Sequence, residues 1–314
     1  MWNVLGFLLA ILPILAVLFF VKKLIKTLRA PAINYAFGRK DIEVIGLFIS
    51  NKKYEQAEIM LSQFNSDDLT QAIDHVALTL SEKQLKIYCE NSNNKPVASL
   101  ILGAWYLHNA WKVRSNKVAS ELSTKQFESY IENLRLAGPL LQAATNESWL
   151  ASEAHSRLIR VSMGLGYSDA VEEHYRASIK ENPEHLWTYI HYSEAIQPKW
   201  GGSVEQVQNL INALPSNYLI RTTLRLKLVY DSCLSGDNYN YFNLSDDPEE
   251  VNKFVVDVAS AIDAELNANP PESIQRFVLY GYMYLMTQFI DKTVQKKYKK
   301  LIGNNYSLYP FGIM

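Results

Sequence analysis

From residue 42 onward, apolar residues recur at three- and four-residue intervals, while alternating runs of β-branched residues are nearly absent. A helix brings positions i, i+3 and i+4 onto one face, whereas a strand needs a period of two. The pattern predicts an all-α chain. Helical stretches read at 42–61 around the polar break Ser50-Asn51-Lys52-Lys53, then at 97–113, 150–163, 170–179, 186–196, 204–214 and 219–233. Phe127, Ile131, Leu134, Leu140 and Leu141 mark another, opened by Ser123 with Gln126 three residues on, the capping-box pattern.

Proline punctuates these helices. Asn182-Pro183 and Leu214-Pro215 lie 32 residues apart, and Asn269-Pro270-Pro271 ends a later helix. Proline stops one helix and fits the first turn of the next, so this spacing predicts stacked helical hairpins. The tetratricopeptide repeat has a period of roughly 34 residues with small residues at helix contacts. Ala170 and Ala177 with Pro183, then Trp187, Ser203, Val207, Leu210 and Pro215, follow much of that pattern, and Tyr54, Ala57, Leu61 and Phe64 repeat part of it. The expectation is a degenerate TPR-like α-solenoid over residues 31–235. Gly236-Asp237-Asn238 and Asp246-Asp247-Pro248 are turn and cap signals, so 236–250 reads as a surface loop. Residues 251–314 read as a helical pair, 251–268 and 273–301, followed by a tail.

The N-terminus carries a different signal. Residues 2–21 hold no charge, and Asn3 is their only strongly polar side chain. At about 1.5 Å per residue they span roughly 30 Å, the hydrocarbon thickness of a bilayer. Lys22, Lys23, Lys26 and Arg29 follow at once, with no acid in the first 30 residues. Residues 1–30 are therefore read as an uncleaved transmembrane anchor with a basic collar. The positive-inside rule places the body in the cytoplasm of a bacterial cell, attached to the inner membrane, with a periplasmic body as the alternative. The whole chain has a net charge of -1, so the body is mildly acidic, which argues against nucleic acid as a partner. Cys89 and Cys233 are too few for a disulfide framework.

Pro198-Lys199-Trp200-Gly201-Gly202-Ser203 interrupts the second repeat. Proline ends one helix, the two glycines permit left-handed backbone, Ser203 caps the next helix, and Trp200 is expected to wedge between helices. This hexapeptide, with Pro96-Val97-Ala98-Ser99 leading into Ala110-Trp111-Lys112-Val113-Arg114, resembles a bacterial family of unknown function built on a TPR-like domain. The resemblance covers roughly residues 40–215 and implies a fold, with no activity attached. Where that family carries glycine after the arginine, this chain has Ser115.

Chemistry-bearing motifs are scarce. The six histidines form no His-x-x-x-His or His-Glu-x-x-His spacing, and Met163-Gly164-Leu165-Gly166-Tyr167 lacks the third glycine of a dinucleotide loop. No phosphate loop or Gly-x-Ser-x-Gly elbow occurs. No cofactor, metal or catalytic residue is predicted. The leading expectation is a membrane-anchored scaffold or adaptor that binds a protein partner. Its candidate groove residues are His155, Arg157, Arg160, Tyr189 and Tyr192, with Trp105, Trp111, Trp187 and Trp200 assigned to the core. The alternatives are a periplasm-facing accessory piece of an envelope assembly, such as a secretion system, and an enzyme of unrecognised type. A pocket lined by two or more ionisable groups within hydrogen-bond reach would favour the enzyme.

Overall fold

The computed structural model describes residues 33–115, 121–215, 219–233, 241–242, 244, 247–271, 274–289 and 292–306. The anchor at 2–21, its basic collar and the final tail lie outside the described residues. Among the described residues no helix is long and apolar enough to cross a membrane.

The fold is all-α. Fourteen α-helices occur among the described residues: α1 Lys40–Ser50, α2 Tyr54–Ser62, α3 Ser66–Thr79, α4 Glu82–Asn91, α5 Lys95–Arg114, α6 Thr124–Gln142 and α7 Ser148–Leu165, followed by α8 Ser168–Glu181, α9 Leu186–Ala195, α10 Val204–Ala213, α11 Leu219–Cys233, α12 Pro248–Ala268, α13 Arg276–Met286 and α14 Lys292–Ile302. The capping box that opens α6 is formed by Ser123 and Gln126 as the sequence predicts. A second one, Ser81 with Gln84, opens α4. Helices α3 and α4 lie in a stretch for which the periodicity reading named no helix.

The reading of 273–301 as one helix is corrected. The segment divides into α13, a 3₁₀ turn at Thr287–Phe289, and α14. Buried Thr287 donates its hydroxyl to the Met283 carbonyl at 2.6 Å, and such back-bonding bends or ends helices. Packing gives the larger reason. Helix α13 is buried almost all round, while α14 buries only Tyr298 and Ile302 and leaves its lysines other than Lys297 in solvent. A straight helix of that length, about 44 Å, would carry one half past the core.

The helices form two rows. Each odd-numbered helix from α1 to α13 packs on the next odd-numbered one, and the even-numbered helices lie beside them. Composition follows the rows. Helix α7, rich in Ala and Ser that allow close approach, buries most of its length, whereas amphipathic α8 buries only Val171 and Ser178. Helices α1–α8 share one apolar cluster, and α9–α14 largely share a second. Tyr241, within the stretch read as a surface loop, is buried in the second cluster, and its carbonyl accepts a hydrogen bond from Gln208 Nε2 at 2.6 Å.

The two ends of the body meet. Ile33 and Tyr306 form a backbone bridge, Asn34 N–H donates to the Tyr306 carbonyl at 3.0 Å, and Phe37 stacks on Phe277 with ring centroids 4.7 Å apart. The odd-numbered row therefore curves round an interior that its own side chains fill.

Candidate functional site

That interior is polar. Helix α3 contributes Thr70 and Asp74, α5 His108, α7 Glu153 and Arg157, and the N-cap of α9 contributes His185. Arg157 Nη1 lies 2.8 Å from Asp74 Oδ1, and its Nε donates to Glu153 Oε1 at 2.5 Å. His108 Nε2 sits 2.7 Å from the same Asp74 oxygen. Glu153 Oε2 also receives the Thr70 hydroxyl at 2.5 Å and lies 3.0 Å from His185 Nε2. Burial opposes ionisation of both carboxyls, but the Arg157 guanidinium outweighs it, aided by His108 at one and His185 at the other. Glu153 is held at about 2, and Asp74 falls well below the usual range.

A second buried network joins α9 and α11. Lys227 Nζ lies 2.8 Å from Glu194 and 2.5 Å from Asp231, and Lys199 reaches Glu194 at 3.0 Å. Burial resists the Glu194 charge, yet the two lysines keep its carboxyl far below its ordinary value.

Beside the first network lies a small cavity of about 20 Å³, whose walls include Asp74, His108, Trp111, Arg157, Arg160 and His191. Burial, reinforced by the Arg160 and Arg157 charges, pushes His191 down to about 3, so the imidazole is neutral at physiological pH. Asp67, in the first turn of α3, moves the other way: burial raises it to about 6.

The Pro198–Ser203 turn reaches the cavity wall only through Trp200, which packs on Trp111. Pro198–Trp200 is a single 3₁₀ turn and Gly201 adopts φ +92°, which glycine takes without penalty. Gly202 is required for a different reason. A Cβ there would lie 2.0 Å from the Ile196 carbonyl oxygen, so close approach, and not a left-handed angle, fixes the second glycine. Ser203 caps α10 by accepting from Gln206 N–H at 3.1 Å. Trp200 packs edge-on against Trp111 at 5.6 Å, and Trp111 against Tyr130 at 5.5 Å. The two segments that carry the family resemblance thus meet through their tryptophans. Ser115, after Arg114, has φ +51°, the region where a glycine would rest more easily.

The five groove candidates separate. Arg157 and Arg160 come together at the cavity, each only 3% exposed. His155 turns to His174, with the two Nδ1 atoms 3.1 Å apart. Tyr189 is buried and donates to the Pro183 carbonyl at 2.9 Å. Tyr192 stacks on Tyr175 at 3.8 Å and hydrogen-bonds Glu172. Of the four core tryptophans, Trp111 and Trp187 are buried and Trp105 and Trp200 partly so. Sequence reasoning did not find Asp74, His108, Glu153, His185 and His191 as partners. The Asn65-Ser66-Asp67-Asp68 start of α3, in which Asn65 caps Asp68 N–H at 2.9 Å, was the legible trace of the missing helix.

Among the described residues no group of three or more His, Cys, Asp or Glu side chains is arranged to hold a metal ion. No family model, curated protein or solved structure matches this chain.

Proposed function

We propose that the chain is a membrane-anchored helical-repeat protein, a degenerate TPR-like α-solenoid that serves as a scaffold for a protein partner. The observation that carries this reading is the packing order, in which every odd-numbered helix stacks on the next and the even-numbered helices flank them. Stacked hairpins of this kind bury a continuous core through neighbour contacts and leave an extended outer surface for binding. Because the inner face is filled by the chain's own side chains, the partner meets the outer row and the clefts between rows. Residues 2–21 and their cationic collar hold that surface at the bacterial inner membrane, with the body on the cytoplasmic side.

The test is affinity capture of the full chain from detergent extract. A stoichiometric protein partner is expected, and capture of the chain alone overturns the reading. Reporter fusions after residue 40 test the topology. Cytoplasmic fluorescence supports the orientation proposed, and alkaline phosphatase activity would favour the accessory piece of an envelope assembly.

An enzyme of unrecognised type is the second reading. It is favoured by Asp74, His108 and Arg157 standing within hydrogen-bond reach round one cavity. It is weakened by their electrostatics: a general acid or base works best when its pKa lies near the working pH, and Asp74 and Glu153 are held far below it.

A further inference from the structure

We propose that the corner where α5, α6, α7 and the Pro198–Ser203 turn meet binds a small oxyanion, through the guanidinium groups of Arg160 and Arg114 and the indole N–H groups of Trp111 and Trp200. This assignment is independent of the scaffold reading.

Arg160 is the anchor of the argument. It is 3% exposed and lines the cavity, and its Nε has no hydrogen-bond partner among the described residues. Among those residues no carboxylate lies within ion-pair distance of Arg160 or Arg114; Glu194 acts on both only from farther off and is itself paired with Lys227 and Lys199. A buried guanidinium without an anion is costly, and native chains pair such groups. Both arginines lie against aromatic rings. Arg160 Cζ sits 3.9 Å from the Trp111 ring centre, and Arg114 Cζ lies 4.5 Å from that of Trp200. Stacking on an aromatic face stabilises the cation without consuming an N–H.

The donors around them point to the same chemistry. Trp111 Nε1, Trp200 Nε1 and the Tyr130 hydroxyl are buried with no partner among the described residues. An indole nitrogen can only donate, so only an acceptor can satisfy it. Gln197 Oε1, an acceptor near the turn, is unpaired as well and plays no part in the assignment. Buried donors left unsatisfied are rare in native proteins, and several round one pair of cations define an acceptor-rich, negatively charged ligand. The cavity lined by Arg160 and Trp111, about 20 Å³, exceeds the need of one water and is far too small for a nucleotide or a peptide, and the carboxylate in its wall, Asp74, is already paired with Arg157 and His108. The ligand is therefore one carboxylate or phosphate group, either free or at the tip of a larger molecule.

The experiment titrates the full chain in detergent micelles with inorganic phosphate and with acetate, at ionic strength held constant by chloride, and reads tryptophan emission. A saturable change with one anion is expected, and which anion produces it decides between phosphate and carboxylate. Arg160→Gln is expected to weaken it about tenfold to a hundredfold, the loss of a charge-assisted hydrogen bond, and Arg114→Gln is expected to act in the same direction. A second measurement needs no ligand. Arg160→Met should melt no lower than the wild type in chloride buffer, because it removes a buried charge that has no ion-pair partner, whereas a purely structural arginine would make it melt lower. A chloride response of equal size, no saturation with either anion, or saturation unchanged in Arg160→Gln would overturn the proposal.

Discussion

Arg157 shows how much one side chain can be asked to hold together. Its guanidinium joins a carboxylate from α3 to one from its own helix, and each carboxylate holds a histidine from a further helix. Two partners satisfy the buried cation; one does not. Asp74→Asn should therefore cost about 3–5 kcal/mol, the typical penalty for breaking a buried ion pair from one side. Urea unfolding monitored by circular dichroism checks this, and a loss under 1 kcal/mol would mean that Arg157 finds another acceptor. Arg160 makes the contrast within the same helix. One turn away, equally buried, it stacks on Trp111 and carries no ion pair among the described residues. Helical phase assigned both arginines to a partner-facing groove, whereas the structure buries both. Their different fates depend on α3, whose Asp74 reaches only Arg157.

At the scale of elements, the joint between α9 and α10 is set by backbone more than by packing. Gly201 and Gly202 differ in what they demand: the first needs a left-handed angle and the second needs space. Gly202→Ala should destabilise the chain by more than about 2 kcal/mol, since its Cβ would collide with backbone that cannot rotate away. Gly166→Ala, at φ +77° with nothing within 4 Å, should cost only about 1–2 kcal/mol, the conformational penalty alone. Paired denaturation curves for the two variants test the ordering; an equal loss would show that the close approach at Gly202 relaxes. Trp200, expected to wedge between helices, packs edge-on against Trp111 of α5. The sequence reading foresaw the turn and the cap at Ser203. It treated the glycines as equivalent, because the carbonyl that crowds Gly202 becomes its neighbour only when the turn closes.

For the molecule as a whole, the buried networks make stability depend on pH. His191 has its pKa lowered to about 3, so between pH 6.5 and 3 the unfolded chain takes up a proton that the folded chain refuses. Glu153, held at about 2, adds a further loss as pH falls from about 4.5 toward 2. Asp67, raised to about 6, opposes these, because its folded form is protonated first. His155, lowered to about 4, joins His191 over the range from pH 6.5 to 4, and the two outweigh Asp67, while Glu153 and Asp74 act only below about pH 4.5, so unfolding free energy should fall from pH 7 to pH 4. Urea midpoints across that range decide the matter, and a midpoint that holds or rises toward pH 4 would mean that the interior is more hydrated than its burial implies.

The helical class of this chain, most of its helix boundaries and the hairpin punctuation were determined by sequence alone, since periodicity, caps and proline act over a few residues. So was the turn at Pro198–Ser203. The partnership of Asp74 with Arg157, the meeting of Trp111 with Trp200 and the contact of Ile33 with Tyr306 were decided only by the tertiary structure. They join residues separated by scores to hundreds of positions, and nothing local distinguishes an arginine that will find a carboxylate from one that will not. That choice follows from how far the row of odd-numbered helices curves before its ends touch. The curvature is a sum of many small packing angles, each set by contacts with side chains from other helices.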